Sequence, residues 1–537
     1  MKIKRNLIQI CLLFLAGGVT ASAQVVTNSA DSGPGTLRSA ITNAASGAVI
    51  TFDPNLSGST ITLSNTLRIN MNLTIDASAL PGGLQINGNG SVQIFNVASN
   101  ITVLLNSLTI TNGNAATGGF GGGIFNSGTL TLTNCILSGN SAPFDGGGIW
   151  SDGTLTLNQC TLSGNFLTTF GFGGGIFNSG TLTLNQCTLS GNSATGTRGY
   201  AGGGGGIDNE GTLTLNQCTL SGNYAVFGGG ISNNGTLTLN QCTLSGNRAP
   251  NYGGFGGGIS NGGTLTLNQC TLSGNTAGSF GGGGIWSDGT LTLNQCTLSG
   301  NSGGFGGGIY NDEDSTTTLS QCTLSENSAY YGGGGIDNYE GTLALTNTIV
   351  GGNSDLLGAD IFNTNAVLTY GGSNLVQSVA NSGGTITGPA PLTNAPDLAP
   401  LGNYGGPTQT MPPLPGSPAI DAGSVAANTF FTDQRGYSRT QNGLIDLGAV
   451  ELQPPAANPP VLGNISVPAS GSANGLQFTF TSAPVADFTV LAATNVSLAL
   501  TNWTVLGEVQ QVAPGQYQFT DPQAATNRVR FYRVRSP

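Results

Sequence analysis

The chain has no histidine, so no Ser-His-Asp triad, imidazole general base or imidazole metal ligand can come from it. Lysine stops at Lys4, and charged residues make up only 7% of the chain, against roughly 25% in an ordinary soluble protein. That scarcity excludes coiled coils and long helical bundles, which need many Glu, Lys and Arg. No apolar run beyond the first residues reaches about 18, so no membrane-spanning helix is expected. Every-third-residue glycine is missing too, which excludes collagen although Gly occurs 89 times. Disorder fits poorly, because 38% of residues are hydrophobic and recur in order. A length of 537 residues allows two to four domains.

The first residues read as an export signal, 1–23. Lys2, Lys4 and Arg5 precede an apolar run from Leu7 to Ala16, and Ala21-Ser22-Ala23 stands before Gln24. Removing it leaves arginine as the only base against all 24 acids. Such a chain is not expected to bind nucleic acid through phosphates, nor an acidic polysaccharide by simple charge. The expected location is extracellular or at a cell surface.

What is present is a repeat. The phrase Gly-Thr-Leu-Thr-Leu-Asn-Gln-Cys-Thr-Leu-Ser-Gly-Asn recurs, with Cys135, Cys160, Cys187, Cys218, Cys242, Cys270, Cys296 and Cys322 in step. A glycine run ending in isoleucine keeps the same rhythm from Ile124 to Ile336, usually after an aromatic such as Phe120, Phe144, Phe172, Phe227, Phe255, Phe305 or Tyr331. In Thr154-Leu155-Thr156-Leu157 the leucines alternate with threonines, which is strand periodicity. Cys160 and Leu162 continue the alternation on the opposite parity. A two-residue corner at Asn158-Gln159 returns both sets to the inside. Three short strands per repeat of about 26 residues describe one coil of a right-handed parallel β-helix, here of roughly 13 coils and about 60 Å.

Stacked coils put like residues in ladders. Cysteine and leucine form inner ladders, and Asn140, Asn165, Asn192, Asn223, Asn247, Asn275, Asn301 and Asn327 form one at a turn, where asparagine tolerates a left-handed backbone. Variable loops fall between this Asn and the glycine run, on one edge. Weaker strands are expected at Val49–Phe52, Thr60–Leu63, Leu67–Ile75, Val92–Val97 and Ile101–Ile110. A helix over Pro34 to Ala45, with Leu37, Ala40, Ile41 and Ala44 at helical spacing, can cover the open N-terminal end. The β-helix with this cap is placed at 24–395, a capping segment at 396–453, a proline-rich linker at 454–463 and a small β-sandwich at 464–537.

The start Asp31-Ser32-Gly33-Pro34-Gly35-Thr36-Leu37-Arg38 resembles the N-terminal cap of secreted β-helix proteins with a pectin-lyase-like fold. The Leu-Ser-Gly-Asn and Gly-Gly-Gly-Ile phrases are similar to polymorphic outer-membrane-protein repeats. Asn403-Tyr404-Gly405-Gly406-Pro407, Ser417-Pro418-Ala419-Ile420-Asp421 and Thr432-Asp433-Gln434-Arg435-Gly436 resemble the choice-of-anchor Q segment of bacterial surface and secreted proteins. The resemblance implies architecture more than activity. Pectin-lyase-like folds often carry polysaccharide lyases, which use an Arg or Lys base, or hydrolases, whose Gly-His-Gly and Arg-Ile-Lys phrases are missing here.

Three groups of residues are candidates for chemistry. Asp288, Asp312, Glu313, Asp314, Asp337 and Glu340 fall at one corner of three successive coils. They read as a Ca2+ site, a catalytic carboxyl pair or acidic turn residues. Asp421, Asp433, Arg435, Arg439, Asp446 and Glu451 read as an ion network closing the C-terminal end of the β-helix, with a catalytic group as the alternative. Arg528, Arg530, Arg533 and Arg535 on the last strand read as a solvated edge or a contact to an acidic surface. The cysteines read as buried free thiols, since stacked Cβ atoms stay near 4.8 Å apart, beyond the roughly 3.8 Å a disulfide prefers. The expected function is a non-enzymatic structural or adhesive scaffold with no assigned catalytic or cofactor residue, whose partner is a cell-surface glycan or another surface protein. The alternatives are a glycan lyase or hydrolase and a non-catalytic carbohydrate-binding protein.

Overall fold

The computed structural model describes residues 24–115, 119–195, 202–250, 253–356, 359–453, 461–466, 476–481, 488–495, 503–513, 516–521 and 530–535. The expected export segment, most of the linker and Arg528 lie outside them.

The main body is a parallel β-helix of about 13 coils, built from one 15-stranded and two 13-stranded sheets. One coil shows the construction. Ile149–Ser151 belongs to what we call the isoleucine sheet, Thr154–Asn158 to the long sheet and Thr161–Ser163 to the cysteine-side sheet. Register is maintained residue for residue. Leu155 pairs with Leu130 below and Leu182 above, and Leu157 with Leu132 and Leu184. All of these leucines are fully buried, each stabilising the stack by about 2 kcal/mol.

The corners explain the parity switch. Gln159, with φ 53, and its equivalents Gln186, Gln217, Gln241, Gln269, Gln295 and Gln321 hold a left-handed backbone. That single residue turns Cys160 and Leu162 inward. At the next corner the left-handed residue is glycine, as at Gly164 with φ 59, and not the asparagine that comes after it. Asparagine is therefore spared for a different task. Asn165 is fully buried. Its Nδ2 donates to Asn192 Oδ1 at 2.9 Å and to Leu137 O at 3.0 Å, and its backbone N donates to the same Oδ1 at 3.0 Å. This bonding repeats coil after coil from Asn140 to Asn353. A second buried ladder, Asn178, Asn209, Asn233 and Asn261, runs along the isoleucine sheet with Nδ2···Oδ1 distances of 2.7 to 2.8 Å.

The eight cysteines of the described chain are free and buried. Each is held by its neighbours, as where Cys187 N donates to Cys218 Sγ at 3.4 Å and Cys187 Sγ to Leu157 O at 3.4 Å. The glycine runs serve close packing. A Cβ on Gly147 would lie 2.4 Å from Gly174 O of the next coil. Each run leads out of an arm of short parallel strands, such as Ser141–Ala142 with Phe166–Leu167, which folds over the outer face of the isoleucine sheet.

Helix α1 spans Leu37–Asn43, shorter than expected. Thr36, not Pro34, starts it, accepting from Ser39 N. Leu37, Ala40 and Ile41 are buried over the first coil. The expected strand Leu67–Ile75 is two, Leu67–Ile69 and Leu73–Asp76, and Ile101–Ile110 is broken at Ser107, with φ 58.

The segment expected to close the C-terminal end does something else. Beyond the last coil the chain runs back along the cysteine-side sheet as a strap. Gln269 Nε2 donates to Asp433 O at 2.8 Å, Thr271 Oγ1 to Gln409 O at 2.5 Å, Thr297 Oγ1 to Gln434 Oε1 at 2.6 Å, and Ala449 N to Thr323 Oγ1 at 2.9 Å. The reason is physical. Those Thr hydroxyls and Gln amides project outward from successive coils and supply a row of partners for loop backbone. The last strand of the long sheet, Thr385–Thr387, stays exposed.

The tail forms a small β domain of two antiparallel sheets, of four and three strands, around Phe478, Phe480, Phe488, Val490 and Tyr517. Its first strand begins at Val461, inside the expected linker. Arg530 Nη1 pairs with Asp521 Oδ2 at 3.2 Å, and the strand that carries Arg533 lies at a sheet edge.

Candidate functional site

The most distinctive surface is the outer face of the isoleucine sheet beneath the arm. In each three-residue strand the first and third residues point inward and the middle one outward. Stacking makes the middle residues a stripe along the axis: Arg68, Asn96, Phe125, Trp150, Phe177, Asp208, then Ser232, Ser260, Trp286, Tyr310, Asp337 and Phe362. Phe125 stacks on Trp150 with centroids 4.4 Å apart, and Trp150 on Phe177 at 6.2 Å. Arm aromatics pack over them: Phe120 lies 5.8 Å from Trp150, Phe255 5.0 Å from Trp286 and Phe305 5.5 Å from Tyr310. Phe170, Phe172, Tyr330 and Tyr331 on the arm are exposed. The result is an aromatic-walled groove at the N-terminal end, where Phe120 and Phe125 line a cleft of about 350 Å³, while farther along the arm packs directly on the stripe. Repetition of Ile-x-Asn signals the strand, but the middle residue varies too much to stand out as a stripe.

Two carboxylates interrupt it. Asp208 is 1% exposed, and neither oxygen makes a hydrogen bond in the described structure. Burial pushes its pKa up to about 8, only partly countered by the neighbouring Ser232 hydroxyl. Asp337 is 3% exposed, its Oδ1 is likewise unpartnered, and burial, then repulsion from Asp312, pushes it up to about 7. The arm accommodates both acids by a local exchange. Gly203 and Gly332 cover them, and a Cβ there would meet Asp208 Oδ2 at 2.7 Å and Asp337 Oδ2 at 2.8 Å. On the arm, Asp145 Oδ1 accepts from Phe172 N at 2.9 Å, and burial raises its pKa.

The six-residue acidic corner is dispersed. Asp312 Oδ2 accepts from Trp286 Nε1 at 3.1 Å. Glu313 and Asp314 are exposed in a turn, Glu340 accepts from Asn365 at 3.5 Å, and Asp337 is drawn under the arm. Asp288 is raised by burial and then by Asp312, so these carboxylates sense one another. Among the described residues no group of three or more acidic, His or Cys side chains could hold a metal ion, so the corner is not a Ca2+ cage.

The strap network is compact and buried. Arg435 Nη2 pairs with Asp433 Oδ2 at 2.9 Å, and Arg439 Nη2 donates to Asp446 O and Gly448 O at 2.7 and 2.6 Å. Arg439 Nε lies 3.9 Å from Glu451 Oε2. Burial pushes Glu451 up to about 8 and holds the Arg439 pKa down. These groups face each other and loop backbone, which makes the network a clasp.

No family model matches the chain, and no curated protein matches it. A solved structure to which it is similar is a double-mutant tailspike protein of E. coli bacteriophage HK620 in complex with a pentasaccharide. The identity is 12%, the match covers 91% of this chain and 86% of that one, and the TM-score is 0.28, so the likeness carries no weight for function.

Proposed function

We propose that this protein is a secreted or cell-surface β-helix scaffold, adhesive and non-enzymatic, whose groove beneath the arm takes up glycan. The carrying observation is the pair Phe120 and Phe125, which wall the cleft at the open end of the aromatic stack, together with the exposed arm rings Phe170, Phe172, Tyr330 and Tyr331. Ring faces suit the apolar faces of sugars, and a rigid in-register scaffold loses little freedom on binding. Export through residues 1–23 and kinship with choice-of-anchor and pectin-lyase-like proteins belong to the same reading.

The enzymatic alternative has one observation in its favour: Asp337, raised to about 7, senses Asp312 one coil away. A glycosidase needs an acid with a second carboxylate about 5 to 10 Å off. Asp312 is engaged by the Trp286 indole, and Asp208 stands five rungs from Asp337, about 24 Å at the usual strand spacing. Binding is the stronger reading. Oligosaccharide titration by calorimetry tests it. Phe125→Ala should weaken binding at least tenfold without unfolding the coil, and unchanged affinity would remove the groove from consideration.

A further inference from the structure

The groove has an end, and its end differs in charge from the rest. Two clefts adjoin there, with Thr66 in the wall of both. One, of about 360 Å³, opens between helix α1 and the strand Leu67–Ile69, and is lined by Arg38, Thr42, Thr66, Arg68, Asn70 and Met71. The other, of about 350 Å³, continues under the arm, with Gln93, Asn114, Phe120 and Phe125 in its wall. Arg68 opens the outward stripe, two rungs from Phe125 with Asn96 between. That is about 10 Å along the axis, a span for an oligosaccharide.

Arg38 and Arg68 play different parts. Arg38 is committed: its Nη2 pairs with Asp31 Oδ1 at 2.5 Å and donates to Asn65 O at 2.6 Å, and its Nη1 donates to Thr66 O at 3.0 Å. It fixes the loop that carries Thr66, in the wall of both clefts. Arg68 is exposed and has no ion pair or hydrogen bond among the described residues. Gln93 Nε2 donates to Phe120 O and Gly121 O at 2.7 and 2.9 Å, which ties the arm to the coil at the wall of the second cleft.

The surrounding charge favours the same end. Residues 24–144 hold three acids, Asp31, Asp53 and Asp76, against two arginines; residues 145–453 hold eighteen acids against four arginines. Along the β-helix and its strap, an anion meets least repulsion at the N-terminal coils. The overall charge argues against acidic ligands only on average.

We propose that the adjoining clefts form an anion-accepting subsite of the groove, where the carboxylate or sulfate of an acidic oligosaccharide is held by the guanidinium of Arg68 while sugar rings lie along Phe120 and Phe125. Guanidinium presents paired N–H donors to such planar or tetrahedral anions. The proposal rests on the glycan-binding reading above.

The test is a calorimetric titration of the whole exported chain with matched oligosaccharides, neutral, uronate-bearing and sulfated. The expected result is at least tenfold tighter binding of one acidic series than of the neutral one, weakening as NaCl rises. Arg68→Gln should bring the acidic series down to the neutral affinity, whereas Phe125→Ala should weaken both. Which acidic series binds separates carboxylate from sulfate. Equal affinity for neutral and acidic sugars, or an Arg68→Gln variant with undiminished preference, overturns the subsite and leaves the groove standing. No binding of any series overturns both. Arg68 is exposed, so its replacement leaves the fold intact, and thermal unfolding checks that.

Discussion

Asp360 and Asp337 are buried carboxylates one coil apart, and they live differently. Asp360 is 2% exposed and its Oδ1 accepts from both Asn353 N and Asn353 Nδ2, at 2.8 and 2.9 Å, while its Oδ2 accepts from Ser378 Oγ at 2.6 Å. It ends the inner asparagine ladder, where the last amide needs an acceptor and no further Asn comes next. Asp337 is as buried but lies on the outer side, where repetition supplies no donor, and it answers by holding its proton. The difference teaches that in a solenoid a buried polar group is inexpensive only where the repeat delivers its partner. Where the repeat is broken, buried charge is a cost that selection for folding alone does not explain.

Breaking the inner ladder in mid-run should have the largest effect. Asn247→Ala removes the acceptor of Asn223 N and Asn223 Nδ2 and the donor to Leu220 O and Asn275 Oδ1. With several buried groups stranded, about 3 kcal/mol should be lost, read from denaturant unfolding. Asp360→Ala strands only the end of the ladder and should cost about 2 kcal/mol. Asp360→Asn keeps an acceptor oxygen and should recover more than half.

The outer acids should behave in the opposite sense. Asp208 is protonated in the folded chain up to about pH 8 but ionises near 3.8 when unfolded. Between those values folding takes up a proton, so stability falls as pH rises through the window. Asp208→Ser, which installs the residue the next two coils carry, should therefore stabilise the chain at pH 8, by up to about 5 kcal/mol, read as a raised melting temperature. The gain should shrink towards pH 4, and a gain independent of pH would contradict the assignment. The smallest effect belongs to the cysteines. Cys242→Ala should cost about 1 kcal/mol, and thiol titration of the denatured, unreduced exported chain should count eight free groups.

The coil is legible from its residues because strand alternation, the parity slip at Gln159 and the cysteine spacing all answer to one geometry. The inner ladder is legible as well, though its cause differs from the expectation: glycine takes the left-handed corner and frees Asn165 to bond inward. The strap is not legible. Asp433, Arg435, Asp446 and Glu451 announce a network, but only the stacked Thr271, Thr297 and Thr323 hydroxyls decide that it lies on the flank of the coils and not over their end. The stripe is hidden for a related reason. Phe125, Trp150, Asp208 and Tyr310 share a stripe position on different rungs but no common chemistry, so periodicity marks the position and conceals what it carries. Arg68 stands out in the sequence only as one of few arginines, because its neighbour Asn96 is 28 residues away along the chain.

The most direct test of the central claim, a binding scaffold without chemistry, is to incubate the exported chain with a panel of neutral and acidic polysaccharides and measure retained complex and released product together. Retention of at least one glycan with no product over the uncatalysed background is the expected result. Product that disappears in Asp312→Asn or Asp337→Asn would contradict it and make the stripe an active site.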